Sequence, residues 1–171
     1  MYISLIIDAR SAGKGLPRLL AQARRLTSPY AGHCEILVAD DDAVALLDID
    51  IPSHLARVVG CLPAPLGRRL NMAASHSHGR MLGFCQGSLD NAWIERMLVA
   101  AKQGTSPVVR PPRTCMLSWA RWQRRDTRGL GVERTWFDRL GGFDPALDQR
   151  AIEDLAVRLK ACRADIITQR A

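Results

Sequence analysis

The chain has 171 residues, 47% hydrophobic and 24% charged, which fits one globular domain, residues 1–171, with a core of its own. No run of about 18 apolar residues occurs, which argues against a membrane-spanning helix, and Met1–Ile7 lacks the pattern of a secretory signal. A net charge of +7 and a pI near 9.7 point to an anionic partner or surface. Cys34, Cys61, Cys85, Cys115 and Cys162 are odd in number and have no CxxC pair. They read as reduced thiols of a cytoplasmic protein, one able to touch a membrane surface or a partner protein through its basic residues.

Taken in order, Ile3–Ile7 is apolar and rich in β-branched residues, as expected of a buried parallel strand. Asp8–Gly15 reads as a polar, glycine-containing loop. Leu16, Leu19, Leu20, Ala23 and Leu26 recur at helical spacing, with Arg18, Arg24 and Arg25 on the opposite side. Cys34–Ala39 is a second strand, and Asp40, Asp41 and Asp42 stand at its carboxyl end. This strand–loop–helix–strand order predicts a βαβ unit, and open α/β sheets bind ligands at the carboxyl edge of their strands. The acids also have a simpler reading, as solvated turn residues.

Ala43–Leu47 is a short helical candidate and Arg57–Val59 a short strand. Gly67 opens a helix through His78, Gly79 ends it, and Arg80–Cys85 is the next buried strand. A loop, Gln86–Asp90, leads into a helix over Asn91–Gln103. Pro107, Pro111 and Pro112 predict an extended connector over Gly104–Arg113, with a strand-like piece at Val108–Val109. Met116–Arg128 has no assigned conformation. Its Trp119 and Trp122, set among arginines, read either as a stacking surface or as core. His76 and His78 are two residues apart on a helix and so point away from each other, which makes them poor metal ligands.

Arg134–Leu159 carries the densest pattern. A short helical run with Trp136, Phe137 and Leu140 is stopped by Gly141–Gly142. Phe143, Asp144 and Pro145 turn the chain, and Glu153–Asp154 open an amphipathic helix with Ile152, Leu155 and Leu159. Two acids at a helix start are favoured by the helix dipole. They are also placed to form a site. Asp165–Thr168 is a last apolar piece.

Several motifs in this order resemble those of the family 2 glycosyltransferases. They are IIDARSAGKGLPRLL at the first strand, VADDD at the second, GRRLNMAASHSHGRMLGFCQGS, and RTWFDRLGGFDPAL…EDLAVRL. The resemblance implies the GT-A fold, a three-layer α/β/α sandwich on a mostly parallel sheet. It implies transfer of a sugar from a nucleoside-diphosphate sugar to an acceptor hydroxyl with inversion. By position, Ala9, Arg10 and Asp40 or Asp41 would hold the nucleoside, and Arg68 would pair with the diphosphate. Asp154 would be the general base and Glu153 would orient it or touch the acceptor. Gly141, Gly142, Phe143 and Asp144 would form the acceptor side.

The metal-binding DxD of that family falls on Gln86-Gly87-Ser88, so the Mn2+ or Mg2+ it would carry lacks its carboxylates, and Asp90 is two residues too far along. The family's opening proline is Asp8. Two other readings stand beside transfer. One is a GT-A-like scaffold that binds a nucleotide or partner without turnover. The other is a CMP-sugar cytidylyltransferase, whose phosphate loop ARSAGKGLPR also resembles, with Lys14 on the triphosphate. Nucleic-acid binding through Arg110–Arg134 rests on charge alone.

Overall fold

A computed structural model describes residues 2–42, 50–87, 89, 91–103, 127–164 and 166–170. Its centre is β1 (Ile3–Asp8), buried at every position, as a strand covered on both faces must be. A single helical turn, α1 (Ala9–Ala12), and a 3-10 turn, Gly13–Gly15, lead into α2 (Leu16–Thr27). Next come β2 (Cys34–Asp40), β3 (Arg57–Gly60), α3 (Leu66–Ser75), β4 (Met81–Cys85) and α4 (Asn91–Gln103). The chain continues through β5 (Thr127–Glu133), α5 (Arg134–Arg139), α6 (Ala151–Ala161) and β6 (Ile166–Arg170).

The strands form one sheet in the order β3-β2-β1-β4-β5-β6. The β3–β2, β2–β1 and β1–β4 pairs are parallel, while β4–β5 and β5–β6 are antiparallel. The expected α/β class with a mostly parallel sheet is what the chain adopts. Alternating strand residues feed two cores. Ile3, Leu5, Ile7, Ile36 and Val38 pack with Leu16, Leu20, Trp93 and Met97 of α2 and α4. Ile6, Leu37, Leu82, Phe84, Leu130 and Val132 pack with α3, α5 and α6 on the other face. Helices therefore cover both faces.

Four boundaries differ from the sequence-based expectation. Past Asp8, the last residue of β1, the expected loop is helical: the Asp8 carboxylate caps α1, accepting from the Ser11 N–H at 2.9 Å and the Ser11 hydroxyl at 2.6 Å. The helix expected over Gly67–His78 stops at Ser75, because Arg134 and the Ser77 hydroxyl take the carbonyl of Ala74, and Arg134 also takes that of Ser77. β5 begins at Thr127, inside the span left without a conformation. Only Leu130 and Val132 of β5 are apolar and face the second core. Opposite them Gly131 pairs with Gly83, where the Trp93 and Met97 side chains pack and an added Cβ would meet Met97 Sδ at 2.8 Å. The last apolar piece is β6, pairing with β5. The expected helix Ala43–Leu47, the Val108–Val109 strand, Trp119, Trp122, Ser88 and Asp90 lie outside the described residues. No helix among the described residues is long and apolar enough to cross a membrane.

Candidate functional site

From β1 the chain moves outward to β2 and β3 on one side, then returns to place β4 on the other. The loops leaving the carboxyl ends of β1 and β4 flank this reversal, the place where open α/β sheets hold ligands. They approach each other here, since a Cβ on Gly87 would lie 3.8 Å from the Ser11 carbonyl oxygen.

A buried ion cluster fills this edge. Arg69 of α3 is only 2% exposed and grips Asp8 with both arms of its fork: Nε donates to Oδ1 at 2.8 Å and Nη2 to Oδ2 at 3.0 Å. Its Nη1 donates to the Ala64 carbonyl at 2.5 Å and to Asp41 Oδ2 at 3.4 Å. Arg10 holds Asp41 from the solvent side, with Nη2 2.7 Å from Oδ2 and Nε 3.2 Å from Oδ1. Burial alone would lower the Arg69 pKa. The hydrogen bond and charge of Asp8, with the charges of Asp41 and Asp148, outweigh it and hold the guanidinium charged. Two aspartates and two arginines thus compensate one another. Arg10, half exposed, is the member a ligand can reach.

Around the cluster, Ala9 is fully buried, and Asp40 is 8% exposed with its backbone carbonyl accepting from the Cys61 N–H at 2.8 Å. Burial, then the charge of Asp41, push the Cys61 thiol pKa up, with Arg69 pulling the other way. Arg68 is exposed on the first turn of α3. The amides beside it are committed: Leu66 N–H donates to Asp148 Oδ1 at 3.0 Å and Gly67 N–H to the Leu147 carbonyl at 2.9 Å. These two N–H groups are therefore not open to a ligand, and Arg68 presents the exposed cation at the start of α3.

The second candidate region is α6 and the loop before it. Glu153 and Asp154 lie in its first turn and are partly buried, and Arg150, the N-cap residue, makes no side-chain capping bond. Arg158 Nε donates to Asp154 Oδ2 at 2.8 Å, while its Nη1 and Nη2 donate to the carbonyls of Leu140 at 3.2 Å and Gly142 at 2.9 Å. Asp154 is thereby tied to the loop that precedes it.

That loop docks on α3. Asn71 reads the Phe143 backbone at both ends, its Nδ2 donating to the carbonyl at 2.8 Å and its Oδ1 accepting from the N–H at 2.9 Å. Gly142 lies beneath Asn71 with φ at +74°, and a Cβ there would come 2.6 Å from Asn71 Oδ1. A Cβ on Gly67 would fall 2.0 Å from the Asp144 carbonyl oxygen. Phe143 is 1% exposed and packs at 4.7 Å against Phe84 and 5.5 Å against Phe137. Of the four residues expected on the acceptor side, Phe143 is core and Gly142 supports the turn. Gly141 and Asp144 are at the surface, and Asp144 caps the Ala146 N–H at 2.9 Å.

Sequence reasoning named Arg69 only alongside Arg68, as basic groups that would replace the metal at the leaving diphosphate, and did not single out Asn71 or Arg158. Arg69 had a signal: Leu66, Leu70 and Ala73 define the buried face of α3, and Arg69 falls on it. Asn71 acts across the fold on backbone atoms, which no local pattern marks, whereas Arg158 stands four residues after Asp154 on one helix, a spacing that does mark the pair.

Of the two positions that the resemblance gives to metal ligands, Gln86 is partly buried and Ser88 lies outside the described residues. Among the described residues no three His, Cys, Asp or Glu side chains converge. An amide and a hydroxyl at these two positions do not fit a hard divalent cation, which needs carboxylate oxygens. A scan against protein-family models finds no match, and a search of curated proteins finds none either.

Proposed function

We propose that the chain binds a nucleoside-diphosphate sugar at the carboxyl edge of β1 and β2 and transfers its sugar to an acceptor hydroxyl. The observation that carries this reading is the buried Asp8–Arg69–Asp41 cluster at the strand reversal, closed toward solvent by Arg10. A buried, fully paired ion cluster gives a rigid floor, and Arg10 offers a movable guanidinium to ribose or phosphate oxygens. Arg68 neutralises the departing diphosphate as the bond to the anomeric carbon breaks. Asp154 takes the proton of the attacking hydroxyl, and the motif order around LGGFD and ED supports that role. Asp148 connects the two regions, capping α3 and adding its charge at Arg69.

A thermal-shift series with UDP-, GDP- and CDP-sugars, with and without Mn2+, tests the reading. Stabilisation by one diphosphate sugar without need of the metal supports it. Stabilisation by CTP alone favours the cytidylyltransferase, and indifference to every nucleotide overturns both. A non-catalytic binding protein is the second reading, favoured by the Arg158 hold on Asp154 and by Gln86 and Ser88 in place of carboxylates. Asp154→Asn separates the two: loss of transfer with retained nucleotide-sugar binding supports the base, whereas binding without turnover in both proteins supports the scaffold.

A further inference from the structure

The charge of this protein is unevenly distributed, and the unevenness coincides with one layer of the fold. Between Ala9 and Cys34 there are five arginines and lysines and no acid. α2 and α4 cover the same face of the sheet, packing into one core through Leu16, Leu20, Trp93 and Met97. Each helix contacts the segment flanking the other: Gln22 of α2 donates to the Leu89 carbonyl, just before α4, at 2.9 Å, and the ammonium of Lys102 of α4 lies 5.0 Å from the ring centroid of Tyr30, just after α2.

Lys14, Arg18, Arg24, Arg25, Arg96 and Lys102 are all exposed on this layer. Glu95 is the single acid among its described residues. We propose that this α2/α4 layer is a docking surface for anionic phospholipid headgroups. The charge complementarity is direct: five cations on the two helices, with Lys14 in the turn before α2, against one acid. Long lysine and arginine stems let the charges reach headgroup phosphates while their methylenes cover apolar surface. Between them stand Val99, 51% exposed, and the exposed Pro17, Ala21 and Ala92, a mixture that suits a lipid interface.

The same surface is poorly made for nucleic acid. Stacking on bases needs open aromatic faces, and of the described aromatic residues here Trp93 is fully buried and Tyr30 lies under Lys102. α2 starts immediately after the candidate site, so a protein lying on this layer keeps the carboxyl edge of β1 at the rim of the membrane. The proposal does not depend on glycosyl transfer.

Sedimentation of the full chain with vesicles tests it. Expected is co-sedimentation with phosphatidylglycerol-containing vesicles, little with pure phosphatidylcholine, and a fall of at least tenfold in bound fraction between low and high salt. Arg18→Glu with Arg25→Glu should abolish the sedimentation while leaving the melting temperature unchanged. If that double variant melts early, Arg18→Gln with Arg25→Gln gives the same readout with a milder change. Equal binding to neutral vesicles, binding that survives both double variants, or binding to neither vesicle overturns the proposal. Preference for a single- or double-stranded oligonucleotide over the vesicles overturns it in favour of nucleic acid.

Discussion

At the scale of single residues, the protein's chemistry is set by how its buried charges are paired. Arg69 is 2% exposed between Asp8 and Asp41, so removing it leaves two carboxylates in a site built around a cation. Arg69→Met should cost about 3–5 kcal/mol of stability in urea unfolding. Adding Asp8→Asn should cost less than the sum of the single changes, because the orphaned charge is then gone. Glu35 makes a prediction in pH. Burial raises its pKa, but hydrogen bonds from the Ser4 hydroxyl, the His78 N–H and the His78 ring outweigh this and lower it below the ordinary 4.5. A lowered folded-state pKa means stability that is present above the unfolded value and is lost as pH falls through the folded one. The stability gap between wild type and Glu35→Gln should therefore hold at pH 6 and shrink below about 4.5. A pH series of unfolding midpoints measures it. Cys34 is the converse case: burial pushes its thiol up to about 11, so alkylation at neutral pH should reach exposed Cys162 before Cys34.

Among the elements, α3 organises the molecule. Its N-terminal turn is capped by Asp148, Arg69 serves the ion cluster, and Asn71 holds the Phe143 backbone. Its early residues must be small where the LGGFD loop crosses. Gly67→Ala drives a methyl group into the Asp144 carbonyl and should destabilise the protein by about 1–3 kcal/mol, read by thermal unfolding. Asn71→Ala leaves a backbone N–H and a carbonyl without partners, a loss of about 1–3 kcal/mol. The Asp154–Arg158 pair is about one-third exposed on both sides, so its direct contribution is about 0.3–0.5 kcal/mol. Arg158→Ala should therefore change the position of the Gly142 loop more than the global stability. Amide exchange at Gly142 and Phe143 distinguishes the two effects.

For the whole molecule, the mixed sheet is the feature with the widest consequence. β6 covers the outer edge of β5 with antiparallel pairs from Thr127–Arg170 to Val132–Ile166. Removing residues 166–171 uncovers that edge, and a free edge recruits other chains. Lower stability and self-association are the expected result, measured by light scattering after gel filtration. The parallel half, β3-β2-β1-β4, was legible because strands buried on both faces are continuous apolar runs, as in Ile3–Ile7 and Cys34–Ala39. β5 was not, because TRGLGVE is apolar on one face and glycine on the other, and its Gly131 pairs with Gly83 of β4, the glycine against which Trp93 and Met97 pack.

The chain's local order alone determined the α/β class, the four parallel strands, the amphipathic helices and the placement of Glu153 and Asp154 at a helix start. Periodicity and turn residues act over a few positions, and those positions carry that information. Only the tertiary structure decided that Arg69, rather than Arg68, enters the buried cluster. It also decided that Phe143 is core and that Arg158 ties Asp154 to the Gly142 carbonyl. Those outcomes depend on contacts between residues 16 to 72 positions apart, or on which face of a helix meets the sheet. No local pattern encodes such contacts, because their energy comes from desolvation and pairing that exist only once the layers have packed.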